Sequence, residues 1–143
     1  MNNHILVCVD LKSLSRRVLL KAVELGKQIG GEIFLVHVRD SSPTSSHATA
    51  NHSGRTAEEL IRENNELEKL EEILRDSGLK YRVDQPTGDI VPVMTETIAA
   101  WKPQMVVMGS AHNSALHHVV SGSVAGAILE KTGVPVLLVP EER

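Results

Sequence analysis

The chain has 143 residues, a formal net charge of −3 and only three aromatic residues. This length predicts one domain that buries about two-thirds of its unfolded surface, so neither a disulfide nor a structural metal is needed for stability. The scattered Lys and Arg and the shortage of aromatic rings exclude the basic stripes and stacking platforms that bind nucleic acid.

The N-terminal third alternates strand and helix patterns. Ile5 to Val9 is an unbroken apolar run, typical of a strand covered on both faces. A helix with Ser13 or Ser15 as its cap follows, with apolar residues at helical spacing up to Gly30-Gly31. Ile33 to Val38 is the second apolar strand, so helix and strands form a first βαβ unit.

The single cysteine, Cys8, lies inside the first apolar run and excludes an intrachain disulfide. A small core residue is the expected role, since no activating partner is visible. That same run ends at charged Asp10, unlike a signal peptide, and no apolar run approaches the ~20 residues of a membrane span. We therefore expect a cytoplasmic protein without membrane contact.

Residues 40–55 are rich in Ser, Thr and Asn and show no periodicity, which predicts a flexible loop. His47 and His52 lie in it. Without a third ligand at suitable spacing, two such histidines are more typical of solvated residues than of a metal site.

The middle of the chain supplies two more helices and a strand. Thr56 to Ser77 is amphipathic, and its first residue has capping-box spacing with Glu59. Tyr81 to Gln85 alternates polar and apolar residues, which predicts an edge strand. Asp89 is placed to cap the next helix, Ile90 to Trp101.

The C-terminal stretch is a second, more informative βαβ unit. Met105 to Met108 is a short apolar strand that Gly109 and Ser110 end. After a His-rich polar loop, Ser121-Gly122-Ser123 opens an apolar-periodic helix, and Val136 to Val139 is the last strand. Two strands joined by a helix in this way are parallel.

Gly109 is predicted at the carboxyl end of a parallel strand, where open α/β sheets bind ligands. Gly122 and Ser123 are predicted at a helix N-terminus, where free N–H groups and the helix dipole favour an anion. The alternative interpretation is a tight turn at Gly109 and an ordinary Ser cap.

Five strands alternate with four helices over residues 1–143. That order predicts a single domain with a doubly wound, parallel five-stranded α/β sheet and helices on both faces.

The chain resembles the universal stress protein family over essentially its whole length. The segments that carry the resemblance are ILVCVD, MVVMGS and GSVAGAILEKTGVPVLLVP. ATP-binding members of that family carry a glycine, two residues, a glycine, nine residues, then glycine and a small hydroxyl residue. Here the spacing gives Gly109, position 112 and Gly122-Ser123, but position 112 is His. Leu11 stands where the family often has glycine after the first aspartate.

The resemblance implies a Rossmann-like fold of the adenine nucleotide alpha hydrolase type that binds ATP or AMP, with Mg²⁺ only alongside the nucleotide. The aspartate would face the nucleotide, Val38 would present its backbone to adenine, and the glycine loop would hold ribose and phosphates. His112 would either donate to a phosphate or obstruct it. The implied binding residues are Asp10, Val38, Gly109, Ser110, His112, Gly122 and Ser123.

Two functions remain open. The first is an adenine-nucleotide-binding stress-response regulator that acts as a homodimer on an unidentified protein partner. The second is a nucleotide-free dimeric scaffold that acts through protein contacts. An ATPase is a third, weaker interpretation: no Walker lysine follows the glycine loop and no carboxylate pair is evident, so any hydrolysis should be slow.

The last strand, Val136 to Val139, is expected at a sheet edge. An exposed apolar edge is an aggregation hazard unless it is covered, and a two-fold partner offering the same strand would close it. The resemblance also implies a homodimer through this strand. The alternative is a monomer whose edge is covered by a loop such as residues 40–55.

Overall fold

The computed structural model describes residues 2–39, 56–110 and 124–141. The predicted loop at 40–55 and the glycine-loop residues His112, Gly122 and Ser123 lie outside these ranges. Within them the predicted order of elements is confirmed, with ends that differ from the predicted ones by one or two residues. The elements are β1 His4–Cys8, α1 Ser15–Ile29, β2 Glu32–Val36, α2 Ala57–Ser77, β3 Tyr81–Asp84, α3 Ile90–Trp101, β4 Met105–Gly109, α4 Val124–Thr132 and β5 Val136–Val139.

The five strands form one parallel sheet in the order β3-β2-β1-β4-β5. The predicted doubly wound parallel sheet is therefore confirmed. β3 and β5 are the two edge strands, as their sequences predict. From β1 the chain adds β2 and then β3 on one side of that strand, and it then crosses over to add β4 and β5 on the other side. The strand order therefore reverses between β1 and β4.

Two apolar layers cover the two faces of the sheet. Alternate residues of β1 belong to different layers, because successive strand side chains point to opposite faces. Ile5 and Val7 pack with α1 and α2, whereas Leu6 and Cys8 pack with α3 and α4. Burial on both faces explains why β1 reads as an unbroken apolar run. In the described ranges, no helix combines the length and apolar character that a membrane crossing requires.

The sequence signals that predict the start of a helix are confirmed in full at α2 and only in part at α3. The capping box is confirmed: Glu59 N donates to Thr56 Oγ1 at 3.0 Å, and Thr56 N donates to Glu59 Oε1 at 2.9 Å. Asp89 is the residue before α3, as predicted, but its carboxylate makes no cap hydrogen bond. The position of the α3 cap is thus readable from sequence, whereas its hydrogen bond is not.

Cys8 is a core residue, as predicted, with 5% of its surface exposed. Burial, with a smaller effect from the Asp10 charge, raises the pKa of its thiol from 9.0 to about 12. At pH 8 that rise lowers the thiolate population about a thousandfold. Because the folded pKa lies above the unfolded value, this contribution to stability is present below pH 9 and lost as the pH rises toward 12.

We expect Cys8 to resist thiol reagents in the native protein. At pH 8, alkylation by iodoacetamide, followed by mass spectrometry, should be slow in buffer and fast in denaturing urea. A native rate equal to the rate in urea would show that the first strand is not buried as described.

Candidate functional site

The carboxyl ends of β1 and β4 lie side by side at the point where the strand order reverses. Cys8 is paired with Met108, so the chain leaves both strands at the same edge of the sheet. Beyond β4, Ser110 N donates to Val139 O of β5 at 3.0 Å, which holds that strand end in place. Open α/β sheets bind ligands in the crevice at such a reversal. We call this place the β1–β4 crevice.

Asp10 is exposed at the mouth of this crevice and organises the turn into α1. One carboxylate oxygen, Oδ1, accepts from Lys12 N at 2.9 Å and from Ser15 Oγ at 3.1 Å. The prediction that Ser13 or Ser15 caps α1 is wrong. Leu14 occupies the N-cap position without a side-chain bond, and Ser15, 1% exposed, lies in the first turn and donates to Asp10 instead.

Leu11 is a contributor to this turn that the sequence did not reveal. Its φ of 61° is left-handed, a conformation that favours glycine and costs a leucine about 1 kcal/mol. Its side chain is 1% exposed, and burying it contributes about 2 kcal/mol. The residue thus keeps the backbone conformation that glycine would adopt, and core burial offsets the strain. The sequence did contain one signal of this conformation: a leucine at a position where family members often have glycine.

Val38 lies two residues beyond β2, which ends at Val36 and not at Val38 as predicted. The backbone N–H groups on either side of Val38 point away from β1: His37 N donates to Asp84 O at 3.1 Å, and Arg39 N donates to Pro86 O at 2.8 Å. Because successive N–H groups of extended chain alternate in direction, the Val38 amide points toward the β1 side. The backbone N–H of Val38 therefore faces the carboxyl end of β1, where the β1–β4 crevice lies.

Gly109, the last residue of β4, has a packing role. A Cβ at this position would lie 2.7 Å from Leu14 Cδ2 and 3.3 Å from Val18 Cγ2. The absence of a side chain lets the start of α1 approach the end of β4. This packing accounts for the glycine without reference to a ligand.

The structure brings Asp10 together with Gly109 and Ser110 at neighbouring strand ends, and it places Val38 on the other side of β1. α4 is described from Val124, directly after the Gly122-Ser123 pair, so the predicted helix is confirmed from that residue onward. His112, Gly122 and Ser123 themselves lie outside the described residues.

No group of three metal-ligating side chains occurs within residues 2–39, 56–110 and 124–141. His47 and His52, the two loop histidines, fall outside those ranges.

Comparison with known proteins identifies relatives along the whole chain. The model of the universal stress protein family matches residues 1–140. A universal stress protein of Methanocaldococcus jannaschii is 24% identical over 141 residues, covering 97% of this chain and 82% of the relative.

Solved structures give the same picture of the fold. Universal stress protein UspA from Lactobacillus plantarum has a TM-score of 0.74 at 14% identity, covering 96% of this chain and 97% of the other. The universal stress protein from Archaeoglobus fulgidus in complex with dAMP has a TM-score of 0.66 at 21% identity, covering 95% and 96%. The five-stranded α/β sheet and the match over residues 1–140 confirm the resemblance: the chain belongs to the universal stress protein family.

Proposed function

We propose that this protein binds an adenine nucleotide, AMP or ATP, in the β1–β4 crevice and acts as a nucleotide-responsive stress regulator. Similar folds with related ligands support the proposal. The Archaeoglobus fulgidus protein was solved with dAMP, another universal stress protein with cAMP, and a family member from Arabidopsis thaliana with AMP.

The observation that carries the proposal is the position of Asp10 and the Val38 backbone just beyond the carboxyl ends of the neighbouring strands β1 and β2. Asp10 uses Oδ1 to hold its own turn, and among the described residues no donor bonds its Oδ2. That oxygen suits a ribose hydroxyl, which dinucleotide-binding α/β proteins also bind with a carboxylate. The Val38 amide, which points toward β1, suits the polar edge of adenine.

The phosphate nearest the ribose would lie toward α4. In the proposed site, Gly109 and Ser110 line the floor, and Gly122 and Ser123 precede the positive N-terminal end of that helix. His112 would donate to a phosphate from the loop between them. Mg²⁺ would enter only with the nucleotide.

Regulation, rather than turnover, is the proposed role. The sequence has no Walker lysine after the glycine loop and no evident carboxylate pair to hold Mg²⁺ and activate water. Bound nucleotide would act by changing the contacts of a protein partner. Any ATP hydrolysis would be slow.

A nucleotide-free scaffold is the second candidate, and one observation favours it. Packing against Leu14 accounts for Gly109 by itself, so this glycine is not evidence of a phosphate. The nucleotide proposal therefore depends on Asp10, Val38 and the Gly122-Ser123 pair.

Calorimetric titration separates the two candidates. Protein unfolded in urea, dialysed to remove any ligand and refolded should bind AMP and ATP saturably and bind GMP far more weakly. Mass spectrometry of the material released on unfolding should show an adenine nucleotide. Absence of saturable binding for both AMP and ATP would favour the scaffold.

We further propose that the protein forms a homodimer through β5. This edge strand pairs only with β4 among the described strands, and Leu137 and Leu138 are 37% and 41% exposed. Leu137 lies on the α1 face and Leu138 on the α3/α4 face, since side chains alternate along the strand. Antiparallel pairing with the same strand of a second copy would satisfy the open edge and cover both leucines.

Leu138→Asp is expected to dissociate the dimer. Two carboxylates at the centre of a two-fold apolar interface would be desolvated and would repel each other. Sedimentation at micromolar concentration should give a dimer for the unaltered protein and a single 15.6 kDa species for the variant.

Ile61→Asp is the matched control, because Ile61 is an exposed apolar residue on α2, away from β5. It should leave the dimer intact. A fully dimeric Leu138→Asp variant would place the interface elsewhere.

A further inference from the structure

A cavity lies close to Asp10, between the start of α1 and the N-terminal half of α2. We call it the α1–α2 cavity. Its volume is about 290 Å³. The residues that line it are Leu11, Lys12, Ser13, Arg16, Arg62 and Glu66.

The α1–α2 cavity is positively charged in a chain whose net charge is negative. Three cationic side chains face one carboxylate, which leaves a net charge of +2. Arg16 Nη2 and Glu66 Oε2 lie 3.6 Å apart and link α1 to α2. Neither Lys12 nor Arg62 has an ion-pair partner within the described ranges. Two cations are therefore available to an anion.

The backbone at Lys12 is held on both sides. Its N–H donates to Asp10 Oδ1 at 2.9 Å, and its carbonyl accepts from Ser15 N at 3.0 Å. The buried, left-handed Leu11 fixes the turn that precedes it. Lys12 and the Ser13 hydroxyl therefore project from a pre-organised turn, which lowers the entropy cost of binding.

We propose that the α1–α2 cavity binds a phosphate group. Its volume is at the lower limit of small-molecule pockets, about 300 Å³, so it suits a small anion and not a whole nucleotide. Lysine, arginine and a serine hydroxyl are donors that proteins use for phosphate oxygens. The cavity itself is independent of the proposed nucleotide function, and only the nucleotide source named below rests on it.

Two sources could supply the phosphate group. One is a free phosphorylated metabolite. The other is the distal end of a nucleotide held in the crevice, because Lys12 is two residues from Asp10. The first probe is therefore inorganic pyrophosphate alone, titrated by calorimetry at low salt, where exposed charges are least screened.

If the cavity takes a free anion, wild-type protein should bind pyrophosphate. If it takes the distal phosphates of a nucleotide, wild-type protein should bind ATP more tightly than AMP. Lys12→Gln and Arg62→Gln should each weaken that binding about fivefold to tenfold, as expected when a charge-assisted hydrogen bond is lost at an exposed site. Glu66→Gln should strengthen it, since it removes the one opposing charge.

Lys27→Gln is the matched control. It makes the same charge change in the last turn of α1, outside the cavity, and should bind as wild type does.

Titration with nucleotides identifies the source. If Lys12→Gln weakens ATP binding and leaves AMP binding unchanged, the cavity holds the distal phosphates. If pyrophosphate still binds when ATP saturates the crevice, the cavity takes a free anion.

Three results would overturn the proposal. One is an absence of saturable binding of both pyrophosphate and ATP to wild-type protein. Another is an equal response of Lys12→Gln, Arg62→Gln and Lys27→Gln. The third is an equal loss of AMP and ATP affinity in Lys12→Gln, which would assign the lysine to the crevice.

Discussion

Replacing Gly31 by Ala is expected to lower the free energy of unfolding by about 2–4 kcal/mol. The added Cβ would lie 2.5 Å from the backbone oxygen of Asn3. That oxygen accepts from Glu32 N at 3.1 Å, so it cannot retreat without loss of the hydrogen bond that joins the start of β2 to the residue before β1. Overpacking of this kind costs about 1–3 kcal/mol, and the broken hydrogen bond adds about 1 kcal/mol.

Gly78→Ala is the matched control for this experiment. Gly78 has a φ of 80°, but no atom lies within 4 Å of the place that an alanine Cβ would occupy, so only backbone strain of about 1 kcal/mol is expected. Urea unfolding can be followed through Trp101, the single tryptophan, which stacks on His4 at 4.3 Å. Equal midpoints for the two variants would show that Asn3 does not restrict Gly31.

Asp10→Asn is expected to weaken AMP binding at least about tenfold. The amide keeps an oxygen that can accept from Lys12 N, so the turn should survive. It loses the negative charge and one of the two acceptor oxygens, and a hydrogen bond to a charged group contributes about 1.5–3 kcal/mol. Calorimetry with AMP, together with an unfolding curve that checks the fold, measures both effects.

Asp76→Asn makes the same chemical change on exposed surface in the last turn of α2. That helix leads into β3, so Asp76 lies near the amino edge of the sheet, opposite the crevice. AMP affinity should be unchanged in this control. If Asp10→Asn also titrated like wild type, the carboxylate would have only its structural role in the turn.

The order of strands and helices was predictable because burial on two faces produces unbroken apolar runs, as in Ile5 to Val9. Helix periodicity and the Thr56–Glu59 box are likewise local in sequence, and both are confirmed. The parallel sheet follows from the alternation of strands with helices.

The turn at the candidate site was less predictable because its conformation depends on distant contacts. Leu11 tolerates a left-handed φ only because its side chain is buried in the core. Ser15 donates to Asp10 instead of capping α1, because the turn brings its hydroxyl to the carboxylate. Gly109 is explained by the approach of Leu14, a contact between β4 and α1 that no local pattern encodes.

We propose above that an adenine nucleotide binds at the β1–β4 crevice. Titration of isotopically labelled protein with AMP, followed by the amide chemical shifts of each residue, tests both the binding and its location. We predict saturable shifts at Asp10, Val38, Gly109 and Ser110. Shifts that fail to saturate, or that saturate only at residues remote from these strand ends, would contradict the claim.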